Sequence, residues 1–250
     1  MREKSRASGL VWPAAMTVAG VAILVTLGTW QMQRKAWKEA LIGQVAARRA
    51  AEPIGLAEAL ALWRQDPAAA EYVKVRVGGR LEDQIERNYY VGDAKLGPGA
   101  QVYSPLRHAP EAVVWVDRGF RPDRIGTGRA AFESLSGNEV QVVGVVRAPG
   151  RQGTFTPMND VRRNQWYWRD LAGMHASAYP VGKVQAAPFF VEVLSVTGGP
   201  GGEWPKPGAA PVRLDNRHLE YALTWYGLAA TLGAVFGVFA WGRLRARPAS

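Results

Sequence analysis

A histidine placed one helical turn outside a long apolar run is the residue whose position most invites chemistry. In LDNRHLEYALTWYGLA (214–229), Asp215 or Asn216 can cap a helix, and His218, Tyr221, Ala222 and Trp225 follow at i, i+3, i+4 and i+7. That spacing puts an imidazole, two rings and a small residue on one helix face, with Arg217 and Arg213 beside it. Imidazole ligates haem iron, aromatic rings cover a macrocycle and guanidinium pairs with propionates, so the pattern has the parts of an amphipathic haem site. A ring at headgroup depth, one interfacial residue among several, satisfies the same spacing.

Other chemistries find less to work with. Cysteine is absent, which removes disulfides, thiolate nucleophiles and Cys-based zinc or copper sites, and the five methionines are too scattered to hold copper(I). No P-loop, HExxH, Gly-x-Ser-x-Gly or strand-anchored GxGxxG occurs; Gly97-Pro98-Gly99 and Gly126-Thr127-Gly128 read as turns. Asp117 and Arg118, at the end of AVVWVDRGF, suit either a site at a strand terminus or an exposed ion-pairing position, with the ion pair expected. His108 and His175 lack ligand-like spacing and read as surface or satisfied core residues. Ser, His, Asp or Glu converging from distant positions would leave no such signature, so an enzyme stays open.

Two stretches must position these residues. LVWPAAMTVAGVAILVTLGTWQMQ (10–33) and YALTWYGLAATLGAVFGVFAWG (221–242) carry no charge, and each exceeds the ~20 residues that span a hydrocarbon core as a helix. Trp12 and Trp30 bracket the first, and Trp225, Tyr226 and Trp241 the second, as an aromatic belt would. The first run is too long for a signal-peptide core and lacks a small-x-small cleavage site, so it is expected to be retained. Arg2, Lys4 and Arg6 outweigh Glu3 in one tail, while Arg243, Arg245 and Arg247 face no acid in the other. The expected layout is therefore a cytoplasmic tail (1–9), a span (10–31), an external domain (32–220), a second span (221–242) and a cytoplasmic tail (243–250). Nine residues before Leu10 leave no room for a transit peptide, which favours a bacterial inner membrane with a periplasmic domain. Small residues at Ala229, Gly233 and Gly237 are expected to meet Gly20 and Gly28 where the spans pack.

The chain of 250 residues has 31 Lys+Arg against 21 Asp+Glu, a net charge of +10, of which half sits in the two tails. The external segment has no basic run, which argues against a nucleic-acid surface and for mild attraction to anionic membrane lipid. Its pattern is that of strands, at 73–77, 88–92, 101–106, 112–120, 139–147 and 188–196, separated by Gly, Pro, Asn and Asp. A juxtamembrane helix is expected over 34–51, and a short one after an Asp170 cap. The segment 197–211 has the Gly and Pro content of a loop. The fold class is thus membrane α + β, two transmembrane helices flanking one antiparallel β-rich external domain.

The blocks LGTWQMQRKAWK (27–38), PMNDVRRNQWYWRDL (157–171) and DNRHLEYALTWYGLA (215–229) resemble, in this order, the Surfeit locus (Surf-one) family. The resemblance covers nearly the whole chain, and its terminal blocks are specific: Gly28, Trp30, Gln31 and Arg34 match at one boundary, and Asn216, His218, Tyr221, Thr224 and Trp225 at the other. Asp117 and Phe120 stand where the family would have Asn and Trp, so no function is carried onto that strand. The resemblance implies a non-enzymatic assembly factor for haem-copper cytochrome c oxidase that holds haem a for delivery. Its implied partners are the catalytic subunit and haem-synthesis proteins. The expected haem contacts are His218 as iron ligand with Trp30, Arg34, Tyr221, Trp225 and Arg217 around it. A membrane-anchored periplasmic enzyme and a protein-binding tether without cofactor remain the competing functions.

Overall fold

The computed structural model describes residues 2–93, 96–123, 139–198, 205–207 and 217–245. They fall into two compact units, one comprising 1–44 and 214–250, the other 45–213. The expected caps Asp215 and Asn216, together with Arg213, the Gly126–Gly128 run and most of 197–211, lie outside the described residues.

The first unit is built on two helices. Helix α1 (Arg2–Ala50) runs unbroken through Pro13 and through the expected juxtamembrane helix, and α5 (His218–Arg245) begins at the histidine. Both are long and apolar enough to cross a membrane. Val11, Trp12, Ile23, Val235, Val238 and Trp241 are exposed, as side chains facing lipid would be. The hydroxyls of Thr26, Thr29, Thr224 and Thr231 each donate to a carbonyl one turn back, which leaves no hydroxyl proton unsatisfied in hydrocarbon. These features fit a membrane-anchored protein.

Small residues let α1 and α5 approach, but not all the expected ones. A Cβ at Gly28 would lie 2.7 Å from the Tyr226 ring, and one at Gly20 would lie 2.9 Å from Leu232, so both glycines admit bulky residues of α5. Ala222 and Ala229 are buried on the same side of α5. A Cβ at Gly233 or Gly237 would meet nothing within 4 Å, so neither glycine is a notch for the other helix. Large residues of α5 fill glycine notches of α1, so the expected facing of glycine stripes is corrected.

The second unit is one sheet of eight strands in the order β1-β2-β6-β8-β5-β4-β3-β7. The strands are β1 (Ile54–Gly55), β2 (Lys74–Leu81), β3 (Arg87–Asp93), β4 (Gly97–Ala109), β5 (Ala112–Pro122), β6 (Glu139–Arg147), β7 (Gln165–Trp166) and β8 (Gln185–Thr197). The sheet is mixed, not antiparallel: β1–β2, β3–β7 and β5–β8 pair in parallel. Tight hairpins force reversal at β3–β4 and β4–β5, whereas the long connection from β5 to β8 leaves either direction open. Gly97 and Gly99 are not in a turn; they begin β4, opposite Asp93 and Val91. Three helices precede or interrupt the strands: α2 (Leu56–Gln65), α3 (Pro67–Ala70) and α4 (Leu171–Ala176). Asp170 caps α4 by accepting from Gly173 N at 2.9 Å, as expected, and Asp66 caps α3 by accepting from Ala68 N.

Strand β2 bonds to β4 as well as β6, through Arg80–Arg107 and Leu81–Leu106, so β2, β6, β8, β5 and β4 form a closed cycle. Alternate residues Val75, Val77, Leu81, Val140, Val142, Val146, Phe189, Val191 and Val193 fill its interior. Trp63 of α2 packs against Phe189 with ring centroids 5.4 Å apart. On the outer face, Tyr103, Trp115, Trp166, Met174 and Phe190 form a second core beneath β7 and α4.

Asp117 belongs to that outer face and corrects another expectation. It lies inside β5 rather than at its end and is buried, not an exposed ion-pairing residue. Arg118, on the opposite side, does pair, with Glu86 at 2.9 Å. The Asp117 carboxylate accepts from Gly119 N at 3.0 Å and from the Tyr103 hydroxyl, and Glu192 is its partner in the adjacent strand. Burial, with the Glu192 charge added, outweighs the hydrogen bonds and the nearby Arg169 and raises its pKa from 3.8 to about 7.

Two tests follow from this architecture. A carboxyl whose folded pKa is raised holds its proton in the folded state where the unfolded state has lost it, so folding weakens as pH rises from about 4 to about 7. At about 1.4 kcal/mol per pH unit the full effect approaches ~4 kcal/mol, and Asp117→Asn should flatten the stability profile across that window in chemical denaturation at graded pH. In the helical unit, Gly28→Leu should lower the temperature at which helical ellipticity is lost in detergent by several degrees, while Gly233→Leu leaves it unchanged. Equal effects would contradict the notch packing.

Candidate functional site

The site forms where α5 begins and α1 passes it. His218 is the first residue of α5, and its Nδ1 lies 2.7 Å from Oε1 of Gln31. An amide oxygen only accepts, so with this face of Gln31 toward the ring Nδ1 is the donor, and in the neutral imidazole that tautomer leaves the Nε2 lone pair for a ligand. An imidazole held in this way by a second group is oriented as metal-ligating histidines are. A cavity of about 280 Å³ adjoins the ring, lined by Gln31, Lys38, Arg217, His218 and Tyr221. It offers one nitrogen ligand, two cations and a half-exposed phenol ring. Arg217 also binds Glu220 of the next turn, at 2.9 Å.

Of the residues expected at the site, His218, Arg217 and Tyr221 share this cavity. Trp225 is half-buried two turns further along α5. Trp30 and Arg34 occupy another strip of α1, where the Arg34 guanidinium stacks 4.7 Å from the centroid of Trp37 and Trp30 is half-exposed. Helical periodicity explains the division. Gln31, Lys35 and Lys38 share one strip, and Trp30, Arg34 and Trp37 share its neighbour, about 100° around the axis.

Gln31, Lys38 and Tyr226 are the residues that sequence reasoning passed over as site members. Gln31 was visible in the boundary block, and Lys38 stands seven residues from it, but their orientation depends on which strip of α1 meets α5. Tyr226 packs its ring on Gly28, and its hydroxyl lies 3.2 Å from Oγ1 of Thr29, which braces the helices about two turns along α5 from the histidine.

The second unit has its own concavity of about 430 Å³, lined by Pro149, Trp168, Leu171, His175 and Pro188 among others. His175 is satisfied on both sides, as expected: Nε2 donates to Val184 O at 3.0 Å, and Nδ1 accepts from Trp115 Nε1 at 3.4 Å. The ring is therefore committed to packing α4 against β5. His108 is half-buried, and burial lowers its pKa.

Comparison with known proteins places these features in one lineage. The model of the SURF1 family matches residues 18–230. Surfeit locus protein 1 of Mus musculus is 34% identical over 224 residues, covering 82% of this chain and 68% of the mouse protein. Surfeit locus protein 1 of Gallus gallus is 32% identical over 222 residues, covering 82% of this chain and 67% of its own length. A SURF1-like protein of Monosiga brevicollis is 33% identical over 236 residues, covering 90% of this chain and 85% of that one. The match runs from within α1, through the whole sheet and into α5, and takes in both Gln31 and His218; the chain belongs to the SURF1 family.

Proposed function

We propose that this protein is a membrane-anchored assembly factor for haem-copper cytochrome c oxidase. In this reading it holds haem a at the outer boundary of the inner membrane for delivery to the catalytic subunit. Family membership supports the assembly role. The observation that carries the haem reading is the Gln31–His218 hydrogen bond, which leaves Nε2 available as an axial ligand. Bound haem would supply an iron centre whose spin state and absorption report that ligand. His218 would hold the iron, and Lys38 and Arg217 would meet the propionates. A volume of about 280 Å³ is smaller than sites that enclose a drug-sized ligand, so the cavity would hold only part of the group, and the exposed ring of Tyr221 would supply apolar contact. The protein acts without turnover of its own, by binding, orienting and releasing.

The proposed topology places both termini in the cytoplasm, with Arg243 and Arg245 closing α5 on that side and the sheet unit in the periplasm. A reporter active only in the periplasm should work when inserted in the Gly- and Pro-rich segment 197–211 and fail when fused after Ser250. Activity at the C-terminus would contradict this topology.

Haem a absorption of purified protein tests the ligand. His218→Ala should abolish or shift the spectrum, whereas Gln31→Leu should keep its type and weaken retention by about 10- to 100-fold, the usual loss when a ligand's orienting partner is removed. His108→Ala and His175→Ala should change neither. An unaltered spectrum from His218→Ala at normal abundance would move the chemistry elsewhere.

A further inference from the structure

The loop between β6 and β7 presents apolar side chains to solvent from a hydrogen-bonded framework. Phe155 is 99% exposed, Met158 80% and Val161 53%. Arg151, Arg162 and Arg163 around them are also exposed. The loop holds this form through its own bonds. Gln152 Nε2 donates to Thr156 O at 3.0 Å, Asp160 and Gln165 exchange backbone bonds of 2.8 and 2.9 Å, and Asn159 Oδ1 accepts from Tyr167 N at 2.7 Å. Asn164, at φ 56°, turns the chain and donates from Nδ2 to Glu86 O at 3.0 Å. The cost of ordering this loop has thus been met before any partner arrives.

We propose that this loop is a membrane-interface anchor: Phe155 and Met158 insert among the acyl chains of an anionic leaflet, and Arg151, Arg162 and Arg163 engage lipid phosphates. Three exposed guanidinium groups, of which Arg163 lies 3.8 Å from Asp160 of the same loop, in one segment with apolar tips match a surface with phosphate above and hydrocarbon below. Phe, Met and Arg also suit a protein interface, and that occupant is separated from lipid by the test below. Both ends of the sheet unit continue in the chain toward helices long and apolar enough to span a bilayer, so the loop works at high effective lipid concentration and modest affinity suffices. The inference rests on the membrane anchoring proposed above.

The chain has no cysteine, so Thr154→Cys gives a single attachment point for a polarity-sensitive fluorophore beside Phe155, and Gln65→Cys on α2 gives a second, exposed reference point. The labelled full-length protein is placed in nanodiscs of phosphatidylcholine, alone or with phosphatidylglycerol, after incorporation through the helices has been verified. The label at 154 should shift to the blue and lose about two-fold in intensity to nitroxide lipids, more so with phosphatidylglycerol, while the label at 65 stays water-like. Phe155→Ser with Met158→Ser should remove the shift, and Arg151→Glu with Arg162→Glu and Arg163→Glu should remove its dependence on phosphatidylglycerol. Water-like emission at 154 in incorporated protein would overturn the proposal. So would equal shifts at both positions, or a shift that appears only when oxidase catalytic subunit is added. Failure of incorporation itself would instead refute the anchoring on which the proposal rests.

Discussion

Gly79 is where the sheet closes. A Cβ there would lie 2.3 Å from the carbonyl oxygen of Arg107, closer than any side chain permits, so only glycine lets β2 bond to β4 while it also bonds to β6. Without that second pairing the sheet would stay open, with the ends of β2 and β4 that β1 and β3 do not cover free to pair with other chains. With it, the valines of β2, β6 and β8 point into a common interior that α2 covers through Trp63 and Leu60. Neighbouring Gly78 has open space at its Cβ position, so the requirement belongs to one residue of the pair.

Closure also fixes what lies outside the barrel. Because side chains alternate along a strand, the valines that face in at 114 and 116 oblige Trp115 and Asp117 to face out, and β8 likewise turns Phe190 and Glu192 outward. The parallel pairing of β5 with β8 then sets Asp117 and Glu192 side by side beneath a layer that includes Tyr103. Glu192 is balanced by Arg49 at 2.8 Å and Arg147 at 3.4 Å. Asp117 has hydrogen bonds from Gly119 and Tyr103 and a nearby charge on Arg169, and burial outweighs all three in setting its proton affinity. The buried carboxyl accepts from the backbone N–H of Gly119, a residue inside β5 whose φ of 113° needs glycine.

In the helical unit the proposed membrane anchoring implies a different physics, since in a bilayer apolar residues would gain nothing by leaving lipid for one another. Close approach and hydrogen bonds must do the work. Gly20 and Gly28 admit Leu232 and Tyr226, Thr29 meets the Tyr226 hydroxyl, and further along the same seam Gln31 meets His218. The same seam that joins the helices therefore orients the imidazole, so packing and the proposed ligand chemistry are coupled along one strip of α1.

The sequence alone determined the features that depend on local composition: two uncharged runs long enough to span, the six main strands, the Asp170 cap, and the boundary blocks that resemble the family. These follow from propensity, periodicity and length, which act over a few residues. What lay beyond it depended on partners distant in the chain. A two-residue strand such as β1 or β7 exists only because β2 or β3 is already there to bond it, and the direction of β8 follows from a long connection with no turn to constrain it. Whether Asp117 is exposed depends on what covers β5, and whether Gln31 or Arg34 faces His218 depends on the rotation of α1 about its axis. No residue encodes that rotation by itself. It is set by the fit of Tyr226 into Gly28, which is a property of two surfaces and not of either helix alone.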